Sequence, residues 1–157
     1  MTDIETYEFD RQGYIVLRDC LSREEVRGLS AAIDDLEAHA LAYVDLPPRK
    51  ASARGREYHV NEERGYHVRG AKAEGRTLVI EDFWNATPAF DLLLCHEPTM
   101  AYINQIVQGR PTVNNSEIRI RYRGNSTGAH MGGPLSGKHR YAFQGGKIDC
   151  AMVRMVY

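Results

Sequence analysis

Six histidines are the side chains in this sequence best suited to chemistry, and one of them, His130, sits where a metal ligand would be expected. It follows an alternating stretch in which Ile118, Ile120 and Tyr122 interleave with Glu117, Arg119, Arg121 and Arg123, the period-2 pattern of a strand with two unlike faces. Around it the loop Gly124-Asn-Ser-Thr-Gly-Ala-His-Met-Gly-Gly-Pro134 is rich in small residues that let a ligand approach the backbone. An imidazole in such a loop between strands suits the first protein ligand of a mononuclear metal site. A solvated loop histidine is the plainer alternative. His139 is the rival ligand, but it stands between Lys138 and Arg140, and two cations raise the cost of bringing in a dication.

The arginines before the loop form the second constellation. If Ile118, Ile120 and Tyr122 face supporting helices, Arg119 and Arg121 point the other way, and wherever that side is closed to water an anion must meet them, an acidic ligand or an internal Asp or Glu. An edge strand showing its charges to water is the alternative. A third constellation is Tyr58-His-Val60 repeated as Tyr66-His-Val68, which predicts two arms of a hairpin turning near Gly65, with His59 and His67 as neighbours across the ladder. Between Arg49 and Arg76 there are eight Lys or Arg against four Glu, so the hairpin is either a basic lid over an anionic substrate or a surface carrying paired histidines.

The elements that position these residues follow from local signals. Gly13 breaks a short helical turn, and Tyr14 to Leu17 reads as a strand. Ser22 and Glu25 make a capping box, after which Val26, Leu29, Ile33, Leu36 and Ala40 recur at helical spacing through about His39. Thr77 to Ile80 reads as a strand; Thr87-Pro88 and Pro98 open two helices, the second capped by Gly109; and His96 between them is expected to be a hydrogen-bonded linker residue. Tyr141 to Phe143, a Gln-Gly-Gly turn and Lys147 to Tyr157 read as a second hairpin.

Composition bounds the class. With 157 residues, 43% hydrophobic and 26% charged, the chain is long enough for one domain spanning 1–157. A formal charge of -1 gives no general attraction to nucleic acid, and no apolar run approaches a membrane span. The N-terminus lacks the basic and apolar regions of a secretory signal, and the three cysteines, Cys20, Cys95 and Cys150, lie beside apolar residues without zinc-site spacing. The expectation is a cytoplasmic protein whose cysteines are small core residues.

The opening Phe9-Asp-Arg-Gln-Gly-Tyr-Ile-Val-Leu-Arg-Asp-Cys-Leu-Ser-Arg-Glu-Glu-Val26, the run Val79-Ile-Glu-Asp-Phe83 followed by two helices, and Gly145-Gly-Lys-Ile-Asp-Cys-Ala-Met-Val-Arg-Met-Val-Tyr157 resemble, in order and spacing, the phytanoyl-CoA dioxygenase family. The resemblance covers nearly the whole chain. It implies an α+β protein with a mainly β core, a double-stranded β-helix or cupin-like jelly roll braced by N-terminal helices. It also implies Fe(II) as metal, 2-oxoglutarate as cosubstrate and hydroxylation of an unactivated C–H bond in a small-molecule substrate.

In that family the metal is held by His, a carboxylate two residues later and a distal His. His130 matches the first, whereas the carboxylate position is Gly132, as in the related 2-oxoglutarate halogenases, where a small residue leaves room for halide; the alternative is a lost site. The sequence ends at Tyr157 inside an apolar run, ahead of the family's distal histidine and its 2-oxoglutarate-binding arginine. The expectation is therefore the N-terminal part of an oxygenase, truncated within its barrel and inactive alone, with Arg119 and Arg121 as anion-binding residues and no catalytic residue assigned. A non-catalytic cupin-like binding module is the alternative.

Overall fold

The structure, a computed structural model, describes residues 1–53, 55–107, 109–128 and 137–157. In chain order its elements are α1 (Asp3–Gln12), α2 (Arg23–Tyr43), β1 (Arg49–Ala51), β2 (Glu57–Asn61), β3 (Tyr66–Gly70), β4 (Thr77–Glu81), α3 (Asp91–Cys95), α4 (Glu97–Ile106), β5 (Glu117–Arg121), β6 (Tyr141–Gln144) and β7 (Lys147–Cys150). Single 3-10 turns occupy Phe83–Ala86, Pro88–Phe90 and Gly137–His139. The chain divides into two compact units.

The larger unit, Leu21–Leu94 with Val113–Gly128, is a five-stranded antiparallel sheet in the order β1-β2-β3-β4-β5 with α2 packed on one face. Helix α2 starts where the sequence requires: Ser22 accepts from the Glu25 N–H and the Glu25 carboxylate takes the Ser22 N–H at 2.7 Å, satisfying two otherwise orphaned donors. The helix runs past His39 to Tyr43, burying Leu29, Leu36 and Ala40 against Tyr66, Val68, Leu78 and Ile80 of the sheet. Ile118, Ile120 and Tyr122 join that core, which places the helix on the side of β5 that the alternation predicts. The Tyr122 hydroxyl donates to Glu37 at 2.7 Å and Lys72 reaches the same carboxylate oxygen at 3.2 Å, tying α2 to the end of β5. Burial first, and the bond to Glu37 second, hold the Tyr122 hydroxyl far above its usual range.

The smaller unit comprises Met1–Cys20, Cys95–Thr112 and Ala129–Tyr157. Its core joins Phe9 of α1, Ile106 of α4 and Ile148 of β7, with Met1, Ile15, Tyr141, Cys150 and Val153 around them. β6 and β7 pair antiparallel through a turn in which Gly145 and Gly146 both take left-handed backbone (φ 58° and 75°), the geometry that such a two-residue hairpin turn demands.

Mixed α+β architecture with an antiparallel sheet is thus what the chain adopts, and among the described residues no barrel closes. Several local expectations are corrected. Tyr14 to Leu17 forms no strand; Tyr14 and Val16 are exposed, and only Ile15 is drawn into a core. β2 and β3 are indeed a hairpin, but they are interior strands of the sheet, with Tyr66 and Val68 fully buried, and are no lid. Cys95 is exposed and does not serve as a core residue. Helix α4 ends before Gly109, in an extended Val107. Among the described residues, no helix is long and apolar enough to cross a membrane.

Candidate functional site

The ladder register assigns every strand residue of the larger unit to a face. His59, Val68, Ile80 and Ile118 form one row, on the α2 side. One residue along, Val60, His67, Glu81 and Glu117 form the next row, on the opposite face, followed by Arg69, Val79 and Arg119 and then by Thr77 and Arg121. Because side chains alternate along a strand, the same sequence that buries an aliphatic face under α2 concentrates ionisable groups on the other.

These groups are held loosely. Arg119 Nε lies 2.9 Å from Glu117 Oε1, Arg69 Nη2 lies 3.4 Å from Glu81 Oε1, and His67 Nδ1 lies 3.1 Å from Asp82 Oδ2. Each pair is partly exposed, and such pairs contribute less than about 1 kcal/mol, so their arginines can exchange a protein carboxylate for a ligand's at little cost. Arg121 is exposed opposite Thr77 and has no carboxylate within ion-pair reach among the described residues. Its planar guanidinium is therefore free to take a carboxylate with two parallel hydrogen bonds.

Arg119 and Arg121 accordingly stand together on the non-helix face of an edge strand, and both are exposed. His130 and Gly132 lie outside the described residues. Asp149 is engaged by Arg140, whose Nη2 donates to it at 3.1 Å, and His139 is half-buried at the end of its 3-10 turn. His59 and His67, expected as cross-strand neighbours, are not: His59 pairs with Val68 and Val60 with His67, so the two imidazoles occupy opposite faces. Among the described residues no group of three or more His, Cys, Asp or Glu side chains is placed to hold a metal ion.

Two further clusters escaped sequence reasoning. On the α2 side, His39 Nδ1 pairs with the buried Tyr66 hydroxyl at 2.7 Å, its ring stacks on Tyr43 at 4.7 Å, and Tyr43 lies 5.7 Å from the ring of His59. Burial first, and Arg64 second, push the His39 pKa down, while burial pushes the Tyr66 hydroxyl up to about 12. The spacing of His39 and Tyr43, four residues apart on a helix, was the available signal. In the smaller unit the buried His96 bonds Thr99 through Nδ1 at 2.7 Å, the role expected of it, and Cys20 Sγ lies 3.8 Å from the same nitrogen. Nothing local in the sequence announces a contact between residues 76 positions apart. No family model, curated protein or solved structure matches the chain.

Proposed function

We propose that the chain works as part of an Fe(II)- and 2-oxoglutarate-dependent oxygenase of the phytanoyl-CoA dioxygenase type, with its five-stranded sheet as one wall of a double-stranded β-helix. The observation that carries this reading is the division of the sheet into a face sealed by α2 and a face bearing Arg69, Arg119, Arg121 and His67, whose edge strand β5 comes shortly before His130 in the sequence. In this reading His130 is the first metal ligand, and Gly132 leaves the neighbouring coordination position without a protein carboxylate. Bound Fe(II) with 2-oxoglutarate supplies the activation of O₂ for C–H hydroxylation. The chain's own residues bind and orient: Arg121, and Arg119 on release from Glu117, hold the carboxylate of the cosubstrate or of an acidic substrate against the sheet.

The test is an anaerobic titration of Fe(II) and 2-oxoglutarate into the full product of the gene, following the visible charge-transfer absorption of the ternary complex. His130→Ala is expected to abolish the band. The Arg119→Gln/Arg121→Gln double variant is expected to weaken 2-oxoglutarate or an anionic substrate by about 10- to 100-fold, the effect of losing one or two charge-assisted hydrogen bonds. An unchanged band in His130→Ala, or unchanged affinities for both anions in the double arginine variant, would sink the proposal.

A further inference from the structure

Within the larger unit, β5 pairs with β4 along one side and has no strand on the other among the described residues, so half of its main-chain groups face outward. The ladder says which half. The Tyr122 N–H donates to the Arg76 carbonyl at 3.2 Å and the Asp82 N–H donates to the Ser116 carbonyl at 3.2 Å, so Ser116 and Tyr122 turn their main-chain groups toward β4. That orientation alternates in an antiparallel ladder: Ile118 and Ile120 also face β4, whereas the N–H and C=O of Glu117, Arg119 and Arg121 point away from it. The open edge thus presents three donors and three acceptors in the spacing onto which an extended chain adds as a further strand.

The side chains along that edge select what can add. Glu117, Arg119 and Arg121 share the face away from α2, and Ile118 and Ile120 share the face beneath it. Glu117 is taken up by Arg119, whose Nε lies 2.9 Å from Oε1 and whose Nη2 donates to Oε2 at 3.0 Å. Arg121 is exposed, has no carboxylate within ion-pair reach among the described residues, and is followed by Arg123, exposed just beyond the strand. The unbalanced charge of the edge is therefore positive. A second copy of β5 fits it poorly: paired antiparallel along its whole length, it would set Arg119 against Arg119. The charge that turns away another arginine strand attracts an acidic one, since a residue opposite Arg121 in a hydrogen-bonded pair stands about 5.5 Å from it, Cα to Cα, with its side chain on the same face.

We infer that β5 is a docking edge for an extended acidic segment of another protein, in which acidic residues opposite Arg119 and Arg121 alternate with apolar residues beside Ile118 and Ile120. Main-chain hydrogen bonds hold the segment, and the two unlike faces of β5 read its alternation. The site shares two arginines with the oxygenase reading but needs no iron, 2-oxoglutarate or His130, so either can fail while the other stands.

The experiment is a titration of the full chain, without iron or 2-oxoglutarate, with a capped Val-Glu-Val-Glu-Val-Thr peptide, followed by NMR of the backbone amides. The peptide should shift the amides of Glu117, Arg119 and Arg121 saturably and more than those of Ile118 and Ile120, which already face β4. Exchanging both glutamates of the peptide for lysine, or methylating their amide nitrogens, should weaken it by about tenfold or more. Arg121→Glu, which alters only an exposed side chain, should weaken the acidic peptide by about three- to tenfold and tighten the lysine one, the effect of exchanging one exposed cross-strand attraction for a repulsion. Absence of saturable shifts at the three outward amides, equal binding of the lysine or N-methylated peptide, or an Arg121→Glu variant that keeps its preference for acid overturns the inference. Shifts at the same amides when the free chain is concentrated would give the edge to a second copy and overturn it as well.

Discussion

Acid should loosen the larger unit through a single imidazole, His39, and the structure fixes both the sign and the ceiling of the effect. His39 is depressed in the folded state, chiefly by burial and then by Arg64, with Asp35 and Glu63 opposing and His59 adding slightly. In the unfolded chain it returns to about 6.5. Between its folded pKa and about pH 6.5 the unfolded state therefore holds more protons, so stability is complete above that range and falls as the pH drops through it. One proton limits the slope to about 1.4 kcal/mol per pH unit. Burial supplies the mechanism, and the tautomer whose bare Nδ1 accepts the buried Tyr66 O–H at 2.7 Å adds to it, because protonation turns that acceptor into a second donor. Urea unfolding, read by the single tryptophan, Trp84, which packs on this core, measures it directly. His39→Gln should flatten the dependence between about pH 7.5 and pH 5. Tyr66→Phe should lose about 1 kcal/mol at neutral pH yet keep the slope, because burial is the larger cause. A His39→Gln variant that retains the full slope would refute the argument.

Two substitutions test the sheet and its core. Gly70 has φ +105°, and a Cβ there would sit 1.9 Å from the Thr77 carbonyl oxygen, a backbone atom that cannot yield; Gly70→Ala should cost at least about 3 kcal/mol in urea unfolding, against about 1 kcal/mol for Gly75→Ala, whose Cβ meets nothing within 4 Å. Phe90 is fully buried, edge-on to Phe83 at 5.0 Å, which itself stacks on Trp84 at 4.3 Å. Phe90→Ala should destabilise by about 3–5 kcal/mol and shift the Trp84 emission, and a loss below about 1 kcal/mol would mean that this contact is not part of the core.

What the sequence made legible were features whose cause lies within a few residues. The Ser22–Glu25 box, the turn at Gly65 and the alternation of β5 are local, and each stands in the fold where it was read; the apolar stripe of α2 does so from Leu29 through Ile33 and Leu36 to Ala40, while Val26, in the first turn, is exposed. Tyr14 to Leu17 fails for a complementary reason: its residues favour extended backbone, but a strand is made by its neighbour, and among the described residues none pairs with it. The paired histidines fail by one residue of register. Identical tripeptides at 58–60 and 66–68 would bring His59 opposite His67 only across a loop with an odd number of residues. The turn of residues 62–65 is even, so Asn61 meets Tyr66, Val60 meets His67, and the two imidazoles are sent to opposite faces. That slip separates their roles, giving His67 to the ionisable face beside Asp82 and His59 to the interior beneath α2.

The arginine strand shows where local pattern stops being informative and what replaces it. Alternation separates Ile118 and Ile120 from Arg119 and Arg121 equally well for an edge strand facing water and for a wall facing a cavity, since both need one apolar and one polar side. Of the two arginines on the edge strand, Arg119 leans on Glu117 of its own face, while Arg121, opposite Thr77, is exposed and has no carboxylate partner among the described residues, as an edge facing water leaves it; Arg69, paired with Glu81, belongs to the interior strand β3. A face that holds two arginines in exchangeable pairs and leaves a third free already has the donors a dicarboxylate requires. Filling that face with 2-oxoglutarate would trade weak surface pairs for charge-assisted bidentate bonds.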